Sequence, residues 1–322
     1  MIRQIAAALA AALVFAAQAL ADESPEPAAA EPGAGFPAPL ERSRIGYGRL
    51  FTNDFLGDGK DRWRTGSVVS SRVWGYGWDG AAPAAFGDLL ELRVMGQIIA
   101  PAKLSAPDPG DRPWAGMLSA GLHSHMQRGS AEYALGAGLV ATGPQTQLDG
   151  FQDWLHDLLS APKPSDAVLA AQIPDRVRPL LTAEAAQTLD LGAGASLRPF
   201  AEVRAGDETL LRAGADLTFG SAGRDALQVR DPVTGQRYRA VQGSRQGVSF
   251  TIGGDMAYVA DSVYLPESRG YRLTPRRDRL RAGLSWQGEG ASAFYGLTWL
   301  GREFEGQAES QLTGSLRLNL RF

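Results

Sequence analysis

The chain contains three histidines, and His156 has the most suggestive surroundings. Its sequence neighbours include Asp153 and Asp157, and apolar residues recur around it at helical spacing from Phe151 to Leu159. Such spacing predicts a helix with one apolar face, which must pack against another surface. A histidine where a helix meets its support is well placed to act as a general base, because imidazole titrates near neutral pH.

The other two histidines, His123 and His125, are two residues apart in a segment that reads as a strand. Both side chains would therefore face the same side. Two histidines at this spacing could bind a metal, but no third ligand is near them in the sequence. We favour a polar position inside a barrel, or one at the membrane edge.

A second cluster begins with Asn53 and Asp54 and continues through an Asp- and Gly-rich stretch over 57–66. This composition is typical of a turn. The same carboxylate and carbonyl oxygens would also suit a hard cation such as calcium. The spacing of Asp54, Asp58 and Asp61 is not that of an EF-hand loop, so the spacing leaves both interpretations open.

A third cluster, Asp111-Arg112-Pro113-Trp114-Ala115-Gly116, combines an acid–base pair with a proline. The simplest interpretation is a structural ion pair beside a turn whose backbone is fixed by Pro113.

Charge and composition limit the function classes. The net charge of −3 gives no case for nucleic acid as a partner, and the absence of cysteine excludes a disulfide framework. Arg3, an apolar run and Ala19-Leu20-Ala21 predict a signal peptide over residues 1–21, which implies export. Residues 22–43, rich in Pro, Ala and Glu, predict a flexible leader.

Alternation of apolar and polar residues dominates residues 44–322. In the last segment, Leu312 to Phe322 places leucines on one face and polar residues on the other. About twelve such segments predict an all-β protein, an antiparallel transmembrane β-barrel of about 12 strands. Arg198, Glu202 and Arg204 would lie inside a filled lumen, and the girdle candidates are Trp74, Trp78, Trp286 and Trp299. The alternative is a soluble β-sandwich, but the segments are long for that fold.

One stretch interrupts the alternation. Between strands ending near Thr142 and starting near Ala183 lies a loop that carries the predicted helix. Long loops in compact domains are usually functional, and those of outer-membrane barrels are extracellular.

Taken in order, these motifs resemble the lipid A 3′-O-deacylase family of Gram-negative outer membranes, the LpxR type. Asn53-Asp54 resembles its first-strand pair, and Asp61-Arg62 with Thr65 resembles its D-R-x-x-T element. Residues 111–116 resemble D-R-P-Y-A-G with Trp114 in place of tyrosine. Gly143-Pro144 with Gln152-x-x-x-His156, and the stretch 302–307, resemble two further family elements.

The resemblance implies a calcium-dependent esterase that removes the 3′-linked acyloxyacyl group of lipid A, at a site between the barrel wall and the loop helix. His156 would activate water, Asp54 would bind calcium, and Asn53 and Thr65 would complete the catalytic site. Lys103, Arg112 and Gln152 are the candidate substrate contacts. Lipid A and outer-membrane lipid are the implied partners, and no obligate protein partner is evident. The alternatives are a porin or structural barrel, and a barrel phospholipase.

Overall fold

A computed structural model describes residues 41–320, so the predicted signal peptide (1–21), nearly all of the predicted leader and the terminal Phe322 lie outside the described residues. Strands account for most of this part. They are β1 Ser43–Asn53, β2 Trp63–Gly75, β3 Leu90–Ala100, β4 Ala115–Arg128, β5 Ala131–Thr142, β6 Arg176–Gln187, β7 Leu189–Gly192, β8 Ala195–Ala205, β9 Glu208–Gly220, β10 Leu227–Arg230, β11 Arg237–Val241, β12 Gly247–Ser262, β13 Arg277–Gln287, β14 Ala291–Leu300 and β15 Gln311–Leu320. Two α-helices, α1 Leu148–Leu159 and α2 Asp166–Ala170, lie between β5 and β6.

Twelve of the strands form a closed antiparallel barrel, as the alternation predicts. Neighbours in sequence pair in turn, β1 pairs with β15, and the β6–β8 pairing completes the ring. The short β7 follows β6 and pairs with the first residues of β8, so it prolongs the β6–β8 pairing. One boundary prediction is wrong: β6 begins at Arg176, seven residues before Ala183, because Arg176 to Leu181 pair fully with β5.

The two faces of the wall differ in chemistry. Large apolar side chains such as Leu211, Leu280 and Leu318 are exposed on the outside, where lipid would cover them. The intervening positions carry buried arginines and carboxylates, including Arg198 and Arg204, which gives the filled lumen that the sequence predicts. Trp78 is not a girdle residue. It lies in the loop after β2, and its Nε1 donates a hydrogen bond to the carbonyl of Asp225.

A hairpin formed by β10 and β11 crosses the lumen. Tyr238 of β11 hydrogen-bonds Ser71 of β2 at 2.7 Å, and Gln236 donates to the backbone of β13 and β14. Glycines on the inner face of β1 let the hairpin approach closely, since a Cβ at Gly48 would overlap the carbonyl oxygen of Arg239. The hairpin therefore plugs the barrel.

The two rims of the barrel also differ. The longest connection that carries helices, residues 143–175, lies at the rim where β1 ends and β2 begins. We call this the loop rim. The opposite rim holds the start of β1 and several tight connections, such as residues 129–130 between β4 and β5. We call it the turn rim. Among the described helices, none is both long and apolar enough to span a membrane.

Candidate active site on the outer wall

Two outward-facing glycines at the loop rim make room for chain segments on the outside of the barrel. A Cβ at Gly116 of β4 would overlap the Oγ1 of Thr146, and a Cβ at Gly314 of β15 would overlap the carbonyl oxygen of Leu56. The residues on either side of Gly116, Ala115 and Met117, belong instead to the apolar cluster inside the barrel. The loop segments therefore pack against the lipid side of the wall.

Helix α1 is fixed to this outer surface by apolar contacts and one buried hydrogen bond. Trp114 lies in a small apolar cluster that includes Ala100 and Val168, with Leu148 of α1 packed against it. Its indole Nε1 donates to Oε1 of Gln152 at 2.7 Å. Gln152 and His156 are four residues apart, so both lie on the buried face of α1.

The turn after β1 positions Asn53 and Asp54. Asn53 Oδ1 accepts the backbone N–H of Phe55 at 2.8 Å, which caps a single 3₁₀ turn over Asp54–Leu56. The carboxylate of Asp54 is 1% exposed and accepts the backbone N–H of Arg62 at 2.8 Å. Asn53 Nδ2 faces Gly66 of β2, and it makes no hydrogen bond within the described chain.

An irregularity at the start of β2 brings Thr65 to the same place. Trp63 has a φ of 52°, an uncommon value for a bulky residue, and the β2–β3 register shifts between Trp63 and Gly66. Irregularities of this kind often re-aim a side chain beside an active site. Thr65 Oγ1 lies 3.3 Å from Oδ1 of Asp54 and within hydrogen-bond distance of Asp61.

His156 completes the cluster from the helix side. Its Nδ1 lies 2.5 Å from the carbonyl oxygen of Pro162, and its Nε2 lies 3.3 Å from Oδ2 of Asp61. A carbonyl oxygen only accepts hydrogen bonds, so Nδ1 must carry a proton and Nε2 of the neutral ring is free to accept one. The imidazole is almost fully buried between α1 and the wall.

The electrostatics of Asp54 favour a cation at this position. Burial, with smaller contributions from the carboxylates of Asp61 and Asp58, raises the pKa of Asp54 to about 9. No arginine or lysine of the described residues pairs with Asp54, whereas Asp58 pairs with Arg62 at 3.0 Å. A buried carboxylate without a counter-charge is costly, and a divalent cation would remove that cost.

The donor set fits calcium better than a soft metal. Carboxylate oxygens of Asp54 and Asp61 and the hydroxyl of Thr65 are hard ligands. No group of three or more His, Cys, Asp or Glu side chains converges as a metal site within residues 41–320. A cation here would therefore also need hydroxyl, carbonyl, water or substrate oxygens, which calcium accepts.

The structure brings Asn53, Asp54, Thr65 and His156 together, whereas two of the three predicted substrate contacts, Arg112 and Gln152, are buried in structural contacts. Lys103 is exposed on the loop after β3. The Arg112 side chain is fully buried and pairs with Glu303 at 2.6 Å, so it cannot reach a headgroup. Gln152 lies on the buried face of α1, and its Oε1 accepts the indole N–H of Trp114. Arg112 thus takes part in a structural ion pair, but with Glu303 and not with Asp111, whose carboxylate accepts the indole N–H of Trp63 at 3.0 Å.

Sequence reasoning placed Asp61 in a motif but missed its position between Thr65 and His156. It also missed Arg176 and Arg178, which are exposed at the start of β6 on the loop rim. The position of these two arginines at the loop rim follows only when β6 is taken to begin at Arg176. The spacing of Asp61 from His156, 95 residues apart in sequence, carried no such signal.

Comparison with known proteins identifies the family and the fold. The family model described as "Outer membrane protein LpxR" matches residues 9–322. The solved structure of LpxR from Salmonella typhimurium superimposes with a TM-score of 0.70 at 15% identity, covering 86% of this chain and 100% of that chain. The NanC porin reaches a TM-score of only 0.38 at 6% identity, covering 86% of this chain and 100% of that one. No curated protein matches in sequence. From the family match over residues 9–322, the chain belongs to the LpxR family of outer membrane proteins, the lipid A 3′-O-deacylases.

Proposed function

We propose that the protein hydrolyses the 3′-linked acyloxyacyl ester of lipid A, using a water molecule activated by His156 and calcium as a cofactor. The observation that carries the proposal is the meeting of His156, from the loop helix, with Asp54, Asp61 and Thr65, from the wall. The cluster lies on the lipid side of the barrel, where a lipid substrate would already be. Family membership supports the same reaction class.

His156 is the general base in this proposal. The hydrogen bond from Nδ1 to the Pro162 carbonyl fixes the tautomer and leaves Nε2 to take a proton from water. Asp61 lies beside Nε2 at 3.3 Å and would stabilise the imidazolium that forms when the proton is taken. The other carboxylate oxygen of Asp61, Oδ1, accepts a hydrogen bond from the hydroxyl of Thr65.

Asn53 supplies a donor on the substrate side. Its Oδ1 is engaged by Phe55, which holds the amide in place and leaves the Nδ2 hydrogens free to donate. A fixed donor of this kind can stabilise the oxyanion of an ester under attack. Asp54, Asp61 and Thr65 would hold calcium, which when bound would polarise the ester carbonyl. This arrangement requires no serine nucleophile, because the attacking group is water.

The filled lumen weighs against a porin. The β10–β11 hairpin occupies the barrel, and inward arginines are bridged by carboxylates, for example Arg281 with Asp216 at 2.5 Å. Arg230 of the hairpin bonds Glu184 and Asp216 of the wall, each at 3.0 Å, which fixes the hairpin in the barrel as a plug.

The test is mass spectrometry of lipid A from cells that express the protein, with calcium present. We expect loss of the mass of the 3′ acyloxyacyl group, and no loss with His156→Ala. The matched control is Asp157→Asn, a change at the neighbouring exposed residue of α1. Unchanged lipid A with the wild-type protein would refute the proposal, and fatty acid release from glycerophospholipids instead would indicate a phospholipase.

A further inference from the structure

A chamber of about 190 Å³ lies at the turn rim, between the plugging hairpin and the wall. It is remote from the candidate active site, because its lining includes Ala81 of the β2–β3 loop, Thr188 after β6 and Ser196 of β8, all at the turn rim. Nothing in the proposed deacylation uses it.

The lining of this chamber is rich in positive charge. Six arginines contribute to it, against three glutamates: Glu132, Glu184 and Glu202. The arginines are Arg93, Arg198, Arg204, Arg224, Arg230 and Arg237. The size matters as well, since a water molecule occupies about 30 Å³ in the liquid, so the chamber has room for a small polyatomic ion with a few waters.

All three glutamates already have partners. Arg198 bonds both Glu132 and Glu184 at 2.9 Å, and Arg230 bonds Glu184 at 3.0 Å. Arg212 bonds Glu202 at 3.0 Å. The carboxylates of the chamber are therefore committed to other guanidinium groups.

Two arginines remain without a carboxylate partner. Within the described residues, Arg237 of β11 makes no side-chain hydrogen bond and no ion pair, although Glu132 and Glu184 are near enough to attract it. Arg224 donates only to the carbonyl of Gly220, at 2.8 Å, and its Nη2 is buried without a partner. Guanidinium groups that are shielded from water and lack a carboxylate partner are costly, and an anion between them would lower that cost.

We propose that this chamber binds a small oxyanion of the phosphate or carboxylate type, with Arg237 and Arg224 as its cationic ligands. Guanidinium groups suit such ligands because their planar N–H forks match two oxygens at once. Arg237 lies on β11 and Arg224 lies in the turn before β10, so the anion would tie the β10–β11 hairpin to the segment that leads into it.

Inorganic phosphate is the first probe, and the whole protein in detergent micelles is the sample. Thermal unfolding is followed by tryptophan fluorescence while phosphate is added at constant ionic strength, with sodium chloride as the matching salt. We expect a saturable rise in the unfolding temperature with phosphate and none with chloride. Acetate in a parallel series distinguishes a carboxylate ligand from a phosphate ligand. An equal response to all three salts would overturn the proposal.

Variants identify the ligands. Arg237→Gln should weaken phosphate binding by roughly tenfold or more, as loss of a charge-assisted hydrogen bond does, while Arg237→Lys retains part of the affinity. Arg276→Gln is the control, because Arg276 is exposed and paired with Asp278 at the loop rim. If Arg237→Gln does not fold, Arg224→Gln provides the same test. Undiminished phosphate affinity in the folded variant would refute the assignment, whatever the protein does to lipid A.

Discussion

The buried carboxylate of Asp54 makes a quantitative prediction about stability. Burial, chiefly, and the neighbouring carboxylates raise the pKa of Asp54 from 3.8 to about 9 in the folded protein. The folded chain therefore keeps a proton that the unfolded chain loses above pH 3.8. The contribution of Asp54 to the free energy of unfolding is therefore greatest below pH 3.8, and it decreases as the pH rises towards 9.

The substitution Asp54→Asn removes this dependence, because asparagine does not titrate. Each pKa unit corresponds to about 1.4 kcal/mol, so in calcium-free buffer the variant should gain on the wild type by on the order of 4 kcal/mol between pH 4 and pH 7. Calcium at pH 7 should narrow this gap by stabilising the wild type alone, by about 2.7 kcal/mol at a hundred times its dissociation constant.

The assay is equilibrium unfolding in guanidinium chloride, in detergent micelles, followed by tryptophan fluorescence with either EDTA or calcium. Asp157→Asn is the control, since Asp157 is an exposed carboxylate on α1 that pairs with Lys163 at 2.6 Å. A stability difference between wild type and Asp54→Asn that stays constant from pH 4 to pH 7 would refute the reasoning. So would equal stabilisation of the two proteins by calcium.

Three further predictions concern the base, the helix and the plug. His156→Ala should lower kcat for lipid A deacylation by about 10² to 10⁴, measured by release of the acyloxyacyl group, and an effect confined to KM would contradict its role as a base. Gln152→Leu leaves the buried indole N–H of Trp114 unpaired, so we expect the free energy of unfolding to fall by about 1–3 kcal/mol and hydrogen exchange over 143–175 to become faster. Unchanged exchange over 143–175 would contradict the role of this hydrogen bond in fixing α1. Gly48→Val should expel the hairpin that contacts it at Arg239 and open ion conductance in planar bilayers, whereas the wild-type protein should not conduct.

The barrel could be predicted from the sequence because the pattern that encodes it is local. Each strand needs only alternate residues of opposite polarity, and this alternation is visible within ten residues, as from Gln311 to Leu320. Pairing between strands that follow one another then requires only short connections. The loop helix was equally visible, because apolar residues at helical spacing are also a local signal.

The lumen hairpin was not visible in the same way. β10 and β11 have only 4 and 5 residues, too few for a clear alternation. What places them inside the barrel is contact with residues far away in sequence, including the inner-face glycines of β1 and the backbone of β13 and β14. The glycines were present in the sequence, but their meaning depends on what approaches them.

For the site, the sequence by itself determined the residue types and their place in the chain: a histidine on a helix, and an Asn-Asp pair at the end of a strand. Only the tertiary structure decided which of them meet. Closure of β1 on β15 and packing of α1 on the outer wall bring Asp61 to 3.3 Å from His156, whereas burial against Glu303 removes Arg112 from contact with substrate. The physical reason is that catalytic proximity and desolvation depend on contacts between segments distant in sequence, which local patterns do not record.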